Sequence, residues 1–183
     1  MWRANTLHQI SSREFDIGII RCQSLYESYY QKMLQDENLQ WKDLWEFPTY
    51  VLMSKNHPLA AKEALTYLDF ADSIEIVQGD IQNPSFTFEG NDVSSTGINS
   101  PKTISIYDRG CQFELLRQLP TAYMWTSPVP YDCLALNGLT QRPCSYPGNR
   151  YKDILIYRNG YRFSKEENEF ICCLMRIISQ LSD

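Results

Sequence analysis

Long apolar runs are missing from this 183-residue sequence. No stretch approaches the roughly 18 consecutive apolar residues of a membrane-spanning helix, and no positive leader precedes a long apolar segment, so neither a span nor an export signal is expected. Histidine is scarce: His8 and His57 are the only two. Neither stands at a spacing from cysteine or aspartate that marks a metal site or a catalytic pair, and His57, just before Pro58, suits a turn or rim role. An excess of positive charge is also missing, with 17 Lys and Arg against 22 Asp and Glu and a formal net charge of -5. No Lys/Arg cluster is interleaved with aromatics, which argues against direct nucleic-acid binding. Internal repeats and low-complexity tracts are absent. So is a small-domain disulfide rhythm, and the six cysteines (Cys22, Cys111, Cys133, Cys144, Cys172 and Cys173) read as reduced thiols of a cytoplasmic protein.

What is present is enough apolar material, 43%, for one good core or two small lobes. Tyr50 to Met53 form a short dense apolar run that Ser54-Lys55-Asn56-His57-Pro58 ends abruptly, the signature of a buried strand leading into a polar loop. Ligands of open α/β sheets collect outside the carboxyl ends of strands, so Ser54 to His57 is a candidate rim. Phe15 to Ile20 form a second compact strand with Arg21 and Cys22 at its carboxyl end. In a parallel sheet with the first strand, Arg21 would stand beside the Ser54 loop, its guanidinium fork open to a carboxylate or phosphate; a surface ion pair is the alternative.

Between these strands, Ser24 to Glu27 has capping-box spacing, and Tyr26, Tyr29, Tyr30, Met33 and Leu34 continue with helical periodicity. Thr66 to Ala71 reads as a short helix with Leu68 and Ala71 inward, and Ser73 to Val77 as a strand. The tract 81–101 is loop-rich, with a partial strand at Ser85 to Phe88. Lys102 to Tyr107 is a further strand. Asp108 then caps a helix over 110–119 whose Phe113, Leu116 and Leu119 share a face, and Pro120 ends it. Ala122 to Thr126 and Asp153 to Tyr157 are strands. The closing helix is capped by Ser164 with Glu167, and its apolar stripe is Phe170, Leu174, Ile177, Ile178 and Leu181. Strands alternating with helices predict an α/β domain. The polar groups available to converge, Arg21, Ser54, Tyr107, Arg109 and Ser127, comprise two cations and three hydroxyls without a base. That set suits holding a small anion better than transforming one.

This order of elements resembles the effector-binding, or regulatory, domain of LysR-type bacterial transcriptional regulators over nearly the whole chain. Phe15-Asp-Ile-Gly-Ile-Ile-Arg21 is similar to that family's recurrent (L/F)D(I/V/L)(G/A)I strand, and Ser54-Lys-Asn-His-Pro-Leu-Ala60 to its (K/R)xHPLA signature. Leu155 to Arg158, followed by Ser164 to Ile171, corresponds to its terminal strand and helix. The resemblance implies an α/β, two-lobe, periplasmic-binding-protein-like domain with two crossover strands and an effector cleft between the lobes. Lobe one would be 1–73 with 158–183 and lobe two 74–157, crossing near Ser73 and Tyr157. It implies effector contacts at Arg21, Cys22, Met53, Ser54, Tyr107, Asp108, Arg109, Thr126, Ser127 and Pro128, with no metal and no cofactor.

The implied partners are a small-molecule effector, with small anions among the candidates, and a second copy in a homodimer or higher homo-oligomer, with the face from Thr6 to Ile10 and the helix from Cys111 to Leu119 at the interface. DNA would be reached only through a head domain that this sequence lacks, and the family's first strand is also missing from it. The alternatives are a stand-alone solute-binding protein of periplasmic type and a small two-lobe enzyme acting on carboxylate metabolites, for which Asp108 is the nearby acid.

Overall fold

A computed structural model describes residues 2–79, 102–108, 110–145 and 149–181. The chain divides into two compact units, Met1–Phe47 with Arg150–Asp183, and Pro48–Asn149. The crossings therefore fall at Phe47/Pro48 and Asn149/Arg150 rather than near Ser73 and Tyr157. The physical reason is strand pairing. The Tyr50–Ser54 strand hydrogen-bonds to Ala122–Thr126 and Leu139–Ser145, so it belongs with them and carries 48–73 into the second unit.

In the first unit, β1 (Ile17–Gln23), β2 (Leu39–Pro48) and β9 (Arg150–Arg158) form a three-stranded sheet in the order β1-β9-β2. β1 runs antiparallel to β9, with Ile17 opposite Tyr157 and Gln23 opposite Tyr151. Alternation along the strands sends Ile20, Ile154 and Ile156 to one face, where α1 (Trp2–Ser11) contributes Leu7 and Ile10 and α2 (Glu27–Asp36) contributes Leu34. Gly18 permits the close approach of α1: a Cβ there would lie 3.0 Å from the Thr6 methyl and 3.2 Å from Ile156. The other face, with Leu44 and Leu155, is covered by α5 (Lys165–Leu181).

α5 starts where the sequence places it. The Ser164 N–H donates to Glu167 Oε2 at 2.7 Å, and the Glu167 N–H donates to Ser164 Oγ at 3.1 Å. Of its expected stripe, Leu174 and Ile178 pack on the sheet together with Ile171 and Met175, while Phe170 and Ile177 are about half exposed. The Thr6 to Ile10 face, expected at an interface between copies, supplies core through Leu7 and Ile10.

The second unit holds a six-stranded sheet in the order β4-β8-β3-β7-β5-β6. These are β3 (Tyr50–Ser54), β4 (Leu65–Thr66), β5 (Ile74–Gln78), β6 (Lys102–Ile106), β7 (Ala122–Thr126) and β8 (Leu139–Ser145). β5 is parallel to both β6 and β7, whereas β3 is antiparallel to both β7 and β8. Val51, Met53, Tyr123 and Cys144 pack on one face beneath Leu65 and Phe70. Leu52, Ile76, Ala122 and Met124 pack on the other with Leu116 of α3 (Gln112–Gln118) and Leu134 of α4 (Tyr131–Leu136).

The expected helix over 66–71 is a single 3₁₀ turn, Tyr67–Phe70, closed by a Thr66/Asp69 capping box. Phe70 is the inward residue; Leu68 is 49% exposed. Ser24 to Glu27 does not form the expected box, since Ser24 Oγ bonds Glu46 and Glu27 bonds Lys152. The expected partial strand at 85–88 lies outside the described residues. Among the described residues no helix is long and apolar enough to cross a membrane.

Candidate functional site

Arg21 stands directly opposite Asp153 in the β1/β9 ladder. Its Nε and Nη2 donate to the two carboxylate oxygens at 2.7 and 2.8 Å, and its guanidinium carbon lies 4.7 Å from the centre of the Phe47 ring. The fork is thus satisfied within the sheet, the ion-pair alternative open at the level of sequence. Cys22, one residue on, points to the opposite face and is 1% exposed.

Beside Cys22, Lys152 Nζ donates to Glu27 Oε1 at 2.8 Å and to Asp43 Oδ2 at 3.0 Å. The hydrogen bond to Glu27 is the main cause of an ammonium pKa held above the usual lysine range. Cys22, Glu27, Tyr30, Gln31, Trp41 and Lys152 line a shallow pocket at this end of the first sheet.

Met53 and Ser54 occupy a different end of the second sheet from Thr126. In the antiparallel β3/β7 register Met53 faces Tyr123, whereas Thr126 faces Tyr50. Ser54 is therefore about 13 Å along the ladder from the row of Thr126. Both Met53 and Ser54 are buried. Ser54 Oγ accepts the Asn56 N–H at 3.2 Å, and His57 Nδ1 accepts the Leu59 N–H at 3.0 Å. With Nδ1 occupied as an acceptor, the neutral ring carries its proton on Nε2. Nε2 meets no partner at hydrogen-bonding geometry among the described residues. Burial holds the His57 pKa below its usual value, and the nearby Thr121 carbonyl offsets this in part. His57 is the folding element of this loop.

Tyr107, Thr126, Ser127 and Pro128 do share an end of the second sheet, because β6 and β7 both run parallel to β5. Tyr107 follows β6 and is 75% exposed, with its ring laid over Gly79. A Cβ at Gly79 would come 2.6 Å from that ring, so the glycine permits the aromatic to lie flat on the backbone. Asp108 Oδ1 accepts the Gly110 N–H at 2.8 Å and shapes the turn into α3, although the helix itself begins at Gln112. Arg109 lies outside the described residues.

The loop after β7 is held by a residue that sequence reasoning missed. Gln141 of β8 donates from Nε2 to Thr126 Oγ1 at 2.6 Å and to the Ser127 carbonyl at 2.8 Å, while its Oε1 accepts the Val129 N–H at 2.8 Å. The stretch 138–143, rich in Gly and Pro signals, conceals the strand that aims Gln141. Pro143 is accommodated at the end of the β3/β8 register, opposite Tyr50.

A second missed group is Glu75, whose Oε2 accepts from the Tyr123 hydroxyl at 3.4 Å. Burial raises its carboxyl above the usual range and, with Glu75 beside it, raises the Tyr123 phenol as well. Glu75 faces Tyr123 near the amino end of β5, away from the rim formed by Tyr107 and Thr126 to Pro128. No group of three or more His, Cys, Asp or Glu among the described residues is arranged to hold a metal.

No family model matches this sequence, and no curated protein does. Solved structures do. The regulatory domain of MetR, a LysR family regulator from N. meningitidis, superposes with a TM-score of 0.65 at 13% identity, covering 98% of this chain and 77% of that one. Oxidized OxyR gives 0.56 at 17% identity over 98% of this chain and 80% of that one. The effector-binding domain of QuiR in complex with shikimate gives 0.62 at 14% identity, over 96% and 78%. The chain has the α/β, two-lobe, periplasmic-binding-protein-like fold of LysR-family regulatory domains.

Proposed function

We propose that this chain is the effector-sensing module of a LysR-type transcriptional regulator, which binds a small molecule without turning it over. The observation that carries this reading is the likeness across 96% of the chain to a domain that holds shikimate. The Ser54 to Ala60 loop, matching the family signature and built around His57, supports it independently. Effector contact is assigned to the rim of the second unit, at Tyr107, Thr126, Ser127 and Pro128, where an exposed aromatic and hydroxyls stand at the carboxyl ends of parallel strands. An effector that prefers one conformation of the protein shifts the population toward it, and in a longer protein carrying a DNA-binding head that shift alters promoter engagement. The module works in the cytoplasm and pairs with a second copy of itself. No observation of the site favours the solute-carrier or enzyme readings.

The test is a thermal-melt screen of the purified chain against carboxylates, amino acids and phosphorylated sugars. A compound that binds only the folded state adds about 2.7 kcal/mol at a hundredfold excess over its Kd. A raised midpoint that Ser127→Ala and Thr126→Val both diminish supports the reading. A cooperative melt that no compound moves contradicts it.

A further inference from the structure

We propose that Gln141 is a positioning residue that biases the hydrogen-bonding polarity of the rim, so that Thr126 favours an acceptor group of the ligand, with a carboxylate as the preferred class. This rests on the reading of Thr126 to Pro128 as effector contacts.

Two backbone neighbours fix the orientation of the Gln141 amide. One of its polar atoms lies 2.8 Å from the Val129 N–H, which can only donate. The other lies 2.8 Å from the Ser127 carbonyl, which can only accept. Two backbone groups of opposite character leave a single assignment, with oxygen toward Val129 and nitrogen toward Ser127; the reversed amide would lose both bonds. The nitrogen therefore also donates to Thr126 Oγ1 at 2.6 Å. The Thr126 hydroxyl accepts there, and its own hydrogen must be directed elsewhere.

No acceptor for that hydrogen occurs among the described residues, and Thr126 is only partly buried, at the end of β7 beside Ser127. A threonine hydroxyl in free solvent presents donor and acceptor character alike. Here one of the two lone pairs is taken by Gln141, and the hydroxyl hydrogen is turned away from that amide as a positioned donor. A ligand carboxylate satisfies it with a charge-assisted bond, whereas an ammonium or amide N–H meets only the one remaining lone pair of an oxygen that already accepts from Gln141. The same three bonds fix the backbone from Thr126 to Val129, so the donor is held in place before ligand arrives.

Gln141→Glu reverses this polarity with little change of shape. One carboxylate oxygen still accepts the Val129 N–H, but the other repels the Ser127 carbonyl and draws the Thr126 hydrogen inward. Thr126→Val removes the donor and leaves the Gln141 bonds to Ser127 and Val129 intact. The experiment titrates isotope-labelled wild type, Gln141→Glu and Thr126→Val with acetate and shikimate, and in parallel with acetamide and methyl shikimate, following the Ser127 and Val129 amide signals. In the wild type the carboxylates move these signals at lower concentration than their neutral counterparts. Both variants weaken carboxylate binding by about tenfold, the loss expected for one hydrogen bond to a charged group, and leave the neutral probes unchanged. Carboxylate binding at the rim with equal strength in wild type and Gln141→Glu overturns the role of Gln141 while leaving the rim reading in place. Absence of rim shifts with all four probes in the wild type, or shifts only at Arg21 and Lys152, overturns both. A Val129 amide signal unmoved in Thr126→Val verifies that this variant keeps the loop.

Discussion

The end of the first sheet around Arg21 and Lys152 and the loop after β7 in the second unit treat their polar residues in opposite ways. In the first, charges meet charges: Arg21 with Asp153, Lys152 with Glu27 and Asp43, and Arg150 with Glu46 at 3.0 Å. These pairs tie the ends of β1, β2 and β9 together. In the second unit, at Thr126 to Val129, one amide, Gln141, arranges a hydroxyl and two backbone groups. An ion pair that is complete within the fold has little left for a ligand. A hydroxyl that already accepts one bond within the fold still has a proton to give. On the proposed reading, cations already paired within the fold are weaker pointers to a binding site than hydroxyls left partly satisfied.

The contrast can be broken by substitution, beginning with the core as a reference. Leu52 is fully buried beneath α3 and α4, and Leu52→Ala is expected to cost the second unit about 3 kcal/mol in chemical denaturation. Lys152→Met leaves two carboxylates facing each other where the ammonium was 11% exposed. The cost is about 2 kcal/mol, reduced from the fully buried case because Glu27 and Asp43 reach solvent. Asp43→Ala, at a side chain 53% exposed, should cost less than about 1 kcal/mol. Equal losses from the two variants would show that Lys152 is not the hub of that cluster. Arg21→Gln is expected to cost about 0.5 to 1 kcal/mol, because the guanidinium is 45% exposed. It should leave ligand binding unchanged; a loss of binding with stability retained would return Arg21 to the site.

His57 provides a sharper probe of the second unit. Burial lowers its pKa from the ordinary 6.5. Below that value the unfolded chain takes up a proton that the folded chain resists, so stability falls as pH drops through about 6.5. Above it both states are neutral and His57 adds no pH dependence. An asparagine can accept the Leu59 N–H in the same turn, so His57→Asn should keep the loop and flatten the acid limb of stability against pH relative to wild type. The smallest effect is expected from Gly79→Ala. The exposed Tyr107 ring swings away from the new methyl with a stability change below about 1 kcal/mol, while Tyr107 fluorescence and any ligand contact there change.

Much of the architecture was legible in local signals. The Ser164/Glu167 box marks the start of α5, and the Ala122 to Thr126 run coincides with β7, because capping chemistry and apolar alternation act within a few residues. Pairing was not legible. Strand direction decides that Ser54 and Thr126 lie at different ends of one sheet, and nothing within Tyr50 to Ser54 encodes its antiparallel neighbours. The same long-range pairing moved the crossings to Phe47 and Arg150. The sheet takes Leu174 and Ile178 of the expected α5 stripe but leaves Phe170 and Ile177 half exposed, because the apolar arc from Phe170 to Ile178 is wider than the face the sheet covers. Of the proposed site, Tyr107 and Ser127 were nameable as polar groups at strand ends, and Thr126 only through the family resemblance. Gln141 was not, since an amide in a Pro-interrupted stretch carries no local mark of the loop it holds.

The most direct test of the account is backbone hydrogen exchange of the whole chain with and without a compound that raises its melting midpoint. The account predicts added protection concentrated in 126–129 and at Tyr107, with the segments around Cys22, Glu27 and Lys152 unchanged apart from any uniform gain in stability. Protection confined to the Cys22 and Lys152 end, with 126–129 unaffected, would contradict it.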